Sequence, residues 1–129
     1  MGNHRTVAEL AALVRVALET PDLEAFEELL DPAVTWGAPG DPSPSCRNRR
    51  QVLQWYRRGQ LQGRRGRVVD TTTYDDKILV SLVVSDAESD SEFERWQVLQ
   101  VAGGRVSDIR GYEQHADALA AAGGTAENQ

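Results

Sequence analysis

The sequence contains few of the features that organise many other proteins. No apolar run is long enough to cross a bilayer, and the N-terminus lacks an apolar stretch behind a charged start. We therefore expect a cytoplasmic protein without membrane contact. Cys46 is the single cysteine among 129 residues, and His4 and His115 do not complete a metal cluster with it. This composition excludes an internal disulfide, and we expect neither a metal site nor a cofactor.

Basic residues are also fewer than acidic residues. The chain has 14 lysine and arginine residues against 20 aspartate and glutamate residues, which gives a formal net charge of −6. That balance disfavours general binding to nucleic acid. The length suits one domain, and the hydrophobic residues, at 40%, can supply one core. We predict a single domain over residues 1–129, with residues 1–5 and 123–129 frayed.

Two amphipathic helices are predicted near the N-terminus. Thr6 and Glu9 form a capping-box pattern ahead of the first helix, and Pro21 follows its end. Asp22 can cap the second helix, and Asp31 followed by a proline stops it. Because the link between these helices is very short, we expect an antiparallel pair.

Strands dominate the rest of the chain. A short strand is predicted over residues 33–36, and the proline- and glycine-rich loop after it bars regular structure. Asn48 and Gln51 give a cap signal for a third helix, which Gly59 is placed to end. Four strands and a short alanine-rich helix follow at residues 67–74, 78–84, 93–101, 106–112 and 116–122. Hairpin links between these strands predict an antiparallel, curved meander.

Three sequence segments carry a family resemblance: PDLEAFEELLDPAVTW, NRRQVLQWYRRG and ERWQVLQVAGGRVSDIRGY. Their order and spacing resemble the SnoaL-like branch of the nuclear transport factor 2-like (NTF2-like) superfamily across almost the whole chain. The resemblance implies an α+β cone in which a strongly curved antiparallel sheet wraps around three helices. It also implies a pocket at the wide end and a homodimer formed through the outer sheet face. Members of this superfamily include ketosteroid isomerases, polyketide cyclases and limonene epoxide hydrolases.

The two best-understood reactions of that superfamily are disfavoured by the residues present. Alignment with ketosteroid isomerases places Gly37 or its neighbour at the position of the base, Val14 at that of the tyrosine and Trp96 at that of the protonated acid. None of these residues can perform the corresponding step. Limonene epoxide hydrolases carry one aspartate on the strand that corresponds to residues 78–84 and another just after the arginine of the last strand. Here residues 78–84 contain no acid, and the last strand reads Arg110-Gly111-Tyr112.

Aromatic residues remain in the expected pocket, and the resemblance places them there. We predict that a ligand is bound by Trp36, Trp55, Tyr56, Trp96 and Tyr112. Such rings bury a large apolar area, while their N–H and O–H groups can orient a polar ligand atom. For Trp55 and Tyr56, simple filling of the core is the alternative interpretation.

Few polar residues are candidates for catalysis or for binding a polar ligand atom. Glu94, Asp108 and His115 are candidate acids or bases, provided that they face the pocket. Arg110 could hold a ligand oxygen, although such an arginine can equally pair with a surface carboxylate. Cys46 has no evident partner base, so an inert thiol is the favoured interpretation.

Two charge runs invite a functional interpretation. Eight arginines and no acid occupy residues 47–67, interleaved with aromatic residues. A nucleic-acid surface, an anionic ligand or an acidic dimer partner would each account for that pattern, and the acidic chain disfavours the first. Alternating carboxylates at residues 86–92 resemble part of a calcium loop but lack its glycine, which favours a solvated hairpin tip.

Three hypotheses for function remain open. The first is a protein that binds a mostly apolar small molecule in the cone without catalysis. The second is an isomerase, cyclase or hydrolase that uses a residual acid or base. The third is a dimeric protein-interaction module with a filled cone. The sequence does not name the ligand.

Overall fold

The computed structural model describes residues 6–20, 22–40, 42–86 and 91–123. In chain order, its elements are α1 (Val7–Glu19), α2 (Leu23–Leu29), β1 (Leu30–Gly37), α3 (Arg49–Leu61), β2 (Arg64–Tyr74), β3 (Lys77–Asp86), β4 (Ser91–Ala102), β5 (Arg105–Tyr112) and α4 (His115–Ala122). The predicted α+β class and the predicted order of elements are confirmed. The expectations for residues 1–5, Pro21, the acidic residues Glu88 and Asp90, and residues 124–129 lie outside the described residues.

The three N-terminal helices begin where the sequence predicts their caps. The Thr6 hydroxyl accepts the Glu9 N–H at 3.0 Å, and the Glu9 carboxylate accepts the Thr6 N–H at 2.8 Å. The side chains of Asp22 and Asn48 cap α2 and α3 by accepting a backbone N–H three residues on, at 3.1 and 2.9 Å. Each cap satisfies a backbone donor that the first helical turn leaves free.

Several predicted element boundaries are wrong, among them the start of β2, which lies at Arg64 and not at residue 67. The helix α2 ends at Leu29 and β1 begins directly at Leu30, so Pro32 lies within a strand. The strand tolerates this proline because β1 forms one edge of the sheet. Gly59 does not end α3, which continues to Leu61. The break comes at Gly63, whose φ of 86° is the left-handed conformation that glycine adopts readily.

The five strands form one sheet in the order β1-β5-β4-β3-β2. The strands β2 to β5 form the predicted antiparallel meander, and β1 joins its end in parallel with β5. Register shifts interrupt the pairing between Val68 and Asp70 and between Gln100 and Val101. Shifts of this kind bend strands and increase their twist, which suits a sheet that curves around helices.

The sheet has an inner face, against which α1, α2 and α3 pack, and an outer face. On the inner face, Val80, Leu99 and Ile109 join the main core with Val14 and Phe26. Each of these five side chains is at most 1% exposed. The helices supply the apolar surface that this face needs, so the capped amphipathic pair and α3 are positioned by one shared core.

The outer face carries a second, smaller apolar cluster. Leu79 and Val98 lie beneath α4, where they pack with Ala118 and Ala122. The predicted alanine-rich helix therefore covers part of the face that was expected to form a homodimer. That dimer stays a prediction, and a partner would have to use the rest of the face. Within the described ranges, no helix is both long and apolar enough to cross a membrane.

Candidate functional site

A cavity of about 490 Å³ lies between the inner face of the sheet and the helices. Its walls come from α1, the start of α2, α3 and the strands β2, β3 and β4. The larger apolar side chains that line it are Leu18, Leu23, Phe26, Trp55, Leu82 and Val84. A volume of this size, walled mainly by apolar and aromatic groups, is typical of small-molecule sites.

Two polar side chains meet on the cavity wall. The Tyr56 hydroxyl donates to Gln97 Oε1 at 3.3 Å, and both residues line the cavity. Gln97 is only 8% exposed and is the one polar residue in the described part of the chain that is buried. Burial raises the pKa of Tyr56 to about 12, although the neighbouring Gln97 and Trp36 side chains partly oppose the rise. At neutral pH this phenol is therefore a protonated hydrogen-bond donor.

Trp36 lies behind the cavity wall. Its ring stacks on Trp55 with centroids 4.2 Å apart and planes inclined by 32°. Its buried Nε1 forms no hydrogen bond with any described residue. Tyr56 in turn packs edge to face against Trp55 and Phe26, at centroid distances of 5.2 and 5.1 Å. This interlocked aromatic group holds the wall in a defined shape.

Backbone hydrogen bonds to Trp36 hold the loop that follows β1 in place. Trp36 and Cys46 exchange two backbone hydrogen bonds, at 3.0 and 3.1 Å. Cys46 is 4% exposed, and its Sγ lies 3.6 Å from the Gln51 carbonyl oxygen. Burial raises the pKa of this thiol, while the positive charge of Arg58 opposes the rise. The geometry agrees with the inert thiol that the sequence favours.

The predicted arginine-rich segment contributes charge to the cavity. Arg58, Arg64 and Arg65 are among the lining residues, and each is exposed. Glu19 is the carboxylate among the lining residues, and it pairs with Arg15 at 3.7 Å. The charged lining residues are thus exposed to solvent, while Phe26, Leu82 and Tyr56 are more deeply buried.

Trp96 does not face inward, which corrects the position taken from the alignment. Side chains alternate along β4, so Gln97 and Leu99 point into the core while Trp96 and Val98 belong to the outer face. The Trp96 ring stacks on the exposed His115 at a centroid distance of 5.5 Å. The residue that occupies the inward position is therefore Gln97.

Tyr112, Arg110 and Asp108 also lie outside the cavity. Tyr112 pairs with Trp96 across β4 and β5, and burial raises its pKa. The Asp108 carboxylate accepts from Arg110 Nε at 3.0 and 3.2 Å, and it also accepts from the Thr35 hydroxyl. Arg110 Nη1 donates to a loop carbonyl oxygen, that of Ala38, at 2.8 Å. These contacts tie β5 to β1 and to the following loop.

Glu94 completes the set of predicted site residues. It is exposed and pairs with Val83, on the face opposite to the cavity-lining Leu82 and Val84. The structure brings Trp36, Trp55 and Tyr56 together at the inner face, and of these three Trp55 and Tyr56 line the cavity whereas Trp36 does not. The three candidate acids and bases, with Trp96, Arg110 and Tyr112, lie away from the cavity lining. Their predicted roles in ligand binding or catalysis have no support from this placement.

Two features of the site were missed in the sequence. Gln97 could have been found, because it stands two residues before Leu99 in a strand and must share the face of that core leucine. The grouping of Arg58 with Arg64 and Arg65 had no comparable signal. It depends on the turn at Gly63, which joins α3 to β2 beside the cavity.

Comparison with known proteins gives the fold. No protein-family model matches the sequence, and no curated protein matches it. A solved structure from Xanthomonas campestris, a protein of unknown function with a cystatin-like fold, is similar over 94% of this chain and 100% of its own, at a TM-score of 0.71 and 17% identity. An NTF2-like protein of unknown function from Cytophaga hutchinsonii matches over 88% of this chain and 95% of its own, at a TM-score of 0.67 and 11% identity.

A third similar structure is an LEH-like epoxide hydrolase from M. tuberculosis. The match covers 90% of this chain and 88% of that chain, with a TM-score of 0.65 and 18% identity. At these identities the likeness concerns the fold and carries no reaction to this chain. The chain has the α+β fold of the NTF2-like proteins, consistent with the SnoaL-like resemblance of its sequence.

Proposed function

We propose that the protein binds a mostly apolar small molecule in the cavity between its sheet and its helices. The observation that carries this proposal is the set of lining residues: apolar walls around a volume of about 490 Å³, with the Tyr56–Gln97 pair on one wall. A few polar groups within an apolar pocket are what orients a ligand of this kind. A hydroxyl or carbonyl oxygen of the ligand would bind to Tyr56 or Gln97.

Binding without turnover is the form that the placement of side chains favours. Glu94, Asp108 and His115 do not line the cavity. Tyr56, with its raised pKa, can donate a hydrogen bond but is not ionised for use as a base near neutral pH. Isomerase, cyclase or hydrolase activity stays a prediction without a specific contact in its favour.

A protein-interaction role has less support than small-molecule binding. It predicts a filled cone, whereas a cavity is present. It also relies on an apolar outer face, and α4 covers Leu79 and Val98 there. We retain homodimer formation as a separate proposal, to be measured by analytical ultracentrifugation.

The first test is native mass spectrometry of the purified protein, followed by denaturation to release any co-purified compound. We expect an apolar metabolite at one per subunit, or an empty protein that binds the uncharged fluorophore phenylnaphthylamine. Fluorophore emission rises when it enters an apolar site, and titration gives its Kd. An empty protein that ignores the fluorophore would contradict the proposal.

A pair of neighbouring valines provides a matched control. Val84 lines the cavity, whereas Val83 lies on the opposite face of the same strand. Val84→Trp should fill the cavity and weaken fluorophore binding at least tenfold, while Val83→Trp should leave the Kd within twofold. Circular dichroism would establish that both variants fold. Equal Kd values for the two variants would mean that the fluorophore binds elsewhere.

A further inference from the structure

The charges that line the cavity are strongly unbalanced. Among the described residues, the cavity lining includes Arg58, Arg64 and Arg65 but only one carboxylate, Glu19. That carboxylate is already paired with Arg15 on the next turn of α1. The excess of positive charge is local, because the whole chain carries a formal net charge of −6. Overall composition therefore does not account for it.

The solvent-exposed side of the cavity, where Arg58 and Arg64 lie, is taken as its entrance. Arg58 is two residues beyond Tyr56 on α3, and the turn at Gly63 brings Arg64 and Arg65 next to that helix end. The side chains of Arg58 and Arg64 are exposed, whereas Phe26 in the same lining is buried. Strand alternation places Arg64 on the inner face with Val84 and turns the Arg65 side chain to the outer face with Val83. Asp86 is opposite Arg64 in the strand register but does not line the cavity.

We propose that the ligand is an organic anion, a carboxylic acid with an apolar body, whose carboxylate binds the arginines at the entrance. This inference rests on the proposed function and specifies the class of molecule that the site accepts. The apolar body would pack against Leu82, Val84 and Trp55, and the carboxylate would remain at the exposed end. Guanidinium groups present paired N–H donors that match a carboxylate, and they stay charged at all physiological pH values.

Affinity for the ligand and selectivity for its charge come from different parts of the site. Burial of the apolar body supplies affinity, and it is common to acids and to their neutral analogues. The exposed arginines supply selectivity for the anion, although each exposed charge pair adds only modestly to affinity. Positive charge at an entrance also raises the rate at which anions arrive, and salt screens that effect.

The experiment compares decanoate with decanol as competitors for bound phenylnaphthylamine. Decanoate should displace the fluorophore at a lower concentration than decanol, and added salt should reduce the difference. The variant Arg58→Gln/Arg64→Gln should bind decanoate roughly twofold to thirtyfold more weakly, from two exposed charge pairs, and should bind decanol as before. A suitable control is Arg57→Gln/Arg67→Gln, which removes the same charge from the same elements outside the cavity lining.

The outcomes separate this inference from the proposal on which it rests. Equal displacement by decanoate and decanol, or equal loss of decanoate affinity in both double variants, would overturn the anion assignment and leave the apolar site intact. Failure of the fluorophore and of both competitors to bind would overturn the apolar site and the inference together. Selective loss of decanoate affinity in Arg58→Gln/Arg64→Gln is the result that we expect.

Discussion

Trp36 of β1 and Trp55 of α3 stack with their ring centroids 4.2 Å apart. This contact joins the edge strand of the sheet to the helix that forms one wall of the cavity. Trp36 does not itself line the cavity, so it acts on the site by supporting Trp55. Both the stability of the fold and the shape of the cavity therefore depend on this contact.

We expect Trp36→Ala to lower the free energy of unfolding by about 3 kcal/mol, because it removes a large, half-buried ring from the core. Trp36→Phe should cost about 1 kcal/mol, since it keeps a ring against Trp55 and removes a buried N–H that has no hydrogen bond within the described residues. Denaturant unfolding followed by circular dichroism gives both values. A similar cost for the two variants would contradict a stabilising ring contact.

The Tyr56 phenol should make the protein sensitive to alkali. Its pKa is about 12 in the folded state, against an ordinary value of 10.0, so the folded state holds the proton more tightly. The resulting contribution is fully present below about pH 10 and is lost as pH rises through about 12. A shift of this size corresponds to roughly 2 to 3 kcal/mol.

Denaturant unfolding across that alkaline range measures the effect. Tyr56→Phe should be less stable than the parent near pH 9, by about 1 to 3 kcal/mol, because Gln97 loses its partner. The difference should shrink as pH rises, since the variant has no phenol to ionise. A constant difference at every pH would contradict a buried, protonated Tyr56.

Cys46 should react slowly with thiol reagents while the protein is folded. The side chain is 4% exposed, and burial raises its pKa, so little thiolate is accessible near neutral pH. We expect labelling by a disulfide reagent to be at least a hundredfold slower than in denaturant, as followed by absorbance. Rapid labelling of the folded protein would show that the loop carrying Cys46 opens readily.

Asp108 should matter for stability and not for binding. Asp108→Asn weakens its contacts with Arg110 and Thr35, and we expect a loss of about 1 kcal/mol in denaturant unfolding. Affinity for phenylnaphthylamine should stay unchanged in this variant, and likewise in Glu94→Gln and His115→Ala. Loss of affinity in any of them, with the fold intact, would place that residue near the ligand.

Much of the local structure could be predicted because its signals are local. The capping residues Thr6, Asp22 and Asn48 set helix starts within a few residues of themselves, and the meander follows from turns between adjacent strands. Helix and strand ends were less accurate. Leu30 begins a strand where a helix was expected to continue, because pairing with Val106 of β5 competes with the local preference.

The candidate site was predicted less well than the fold. Trp55 and Tyr56 line the cavity on the side where the family resemblance placed them, and their role in ligand binding stays a prediction. Trp96 was predicted to face the pocket, but Gln97 holds that position and Trp96 lies on the outer face. A strand offers two faces that alternate with every residue, so a shift of one position exchanges a core residue for an outer one.

The sequence by itself determined the order of helices and strands, the caps and the acidic net charge, because each depends on neighbouring residues or on composition alone. Only the tertiary structure decided which face of β4 the helices cover, and that choice turned Gln97 toward the cavity. It also decided that Arg58 and Arg64 share one entrance with Tyr56 close by. These groupings arise from packing between distant segments, which no local pattern specifies.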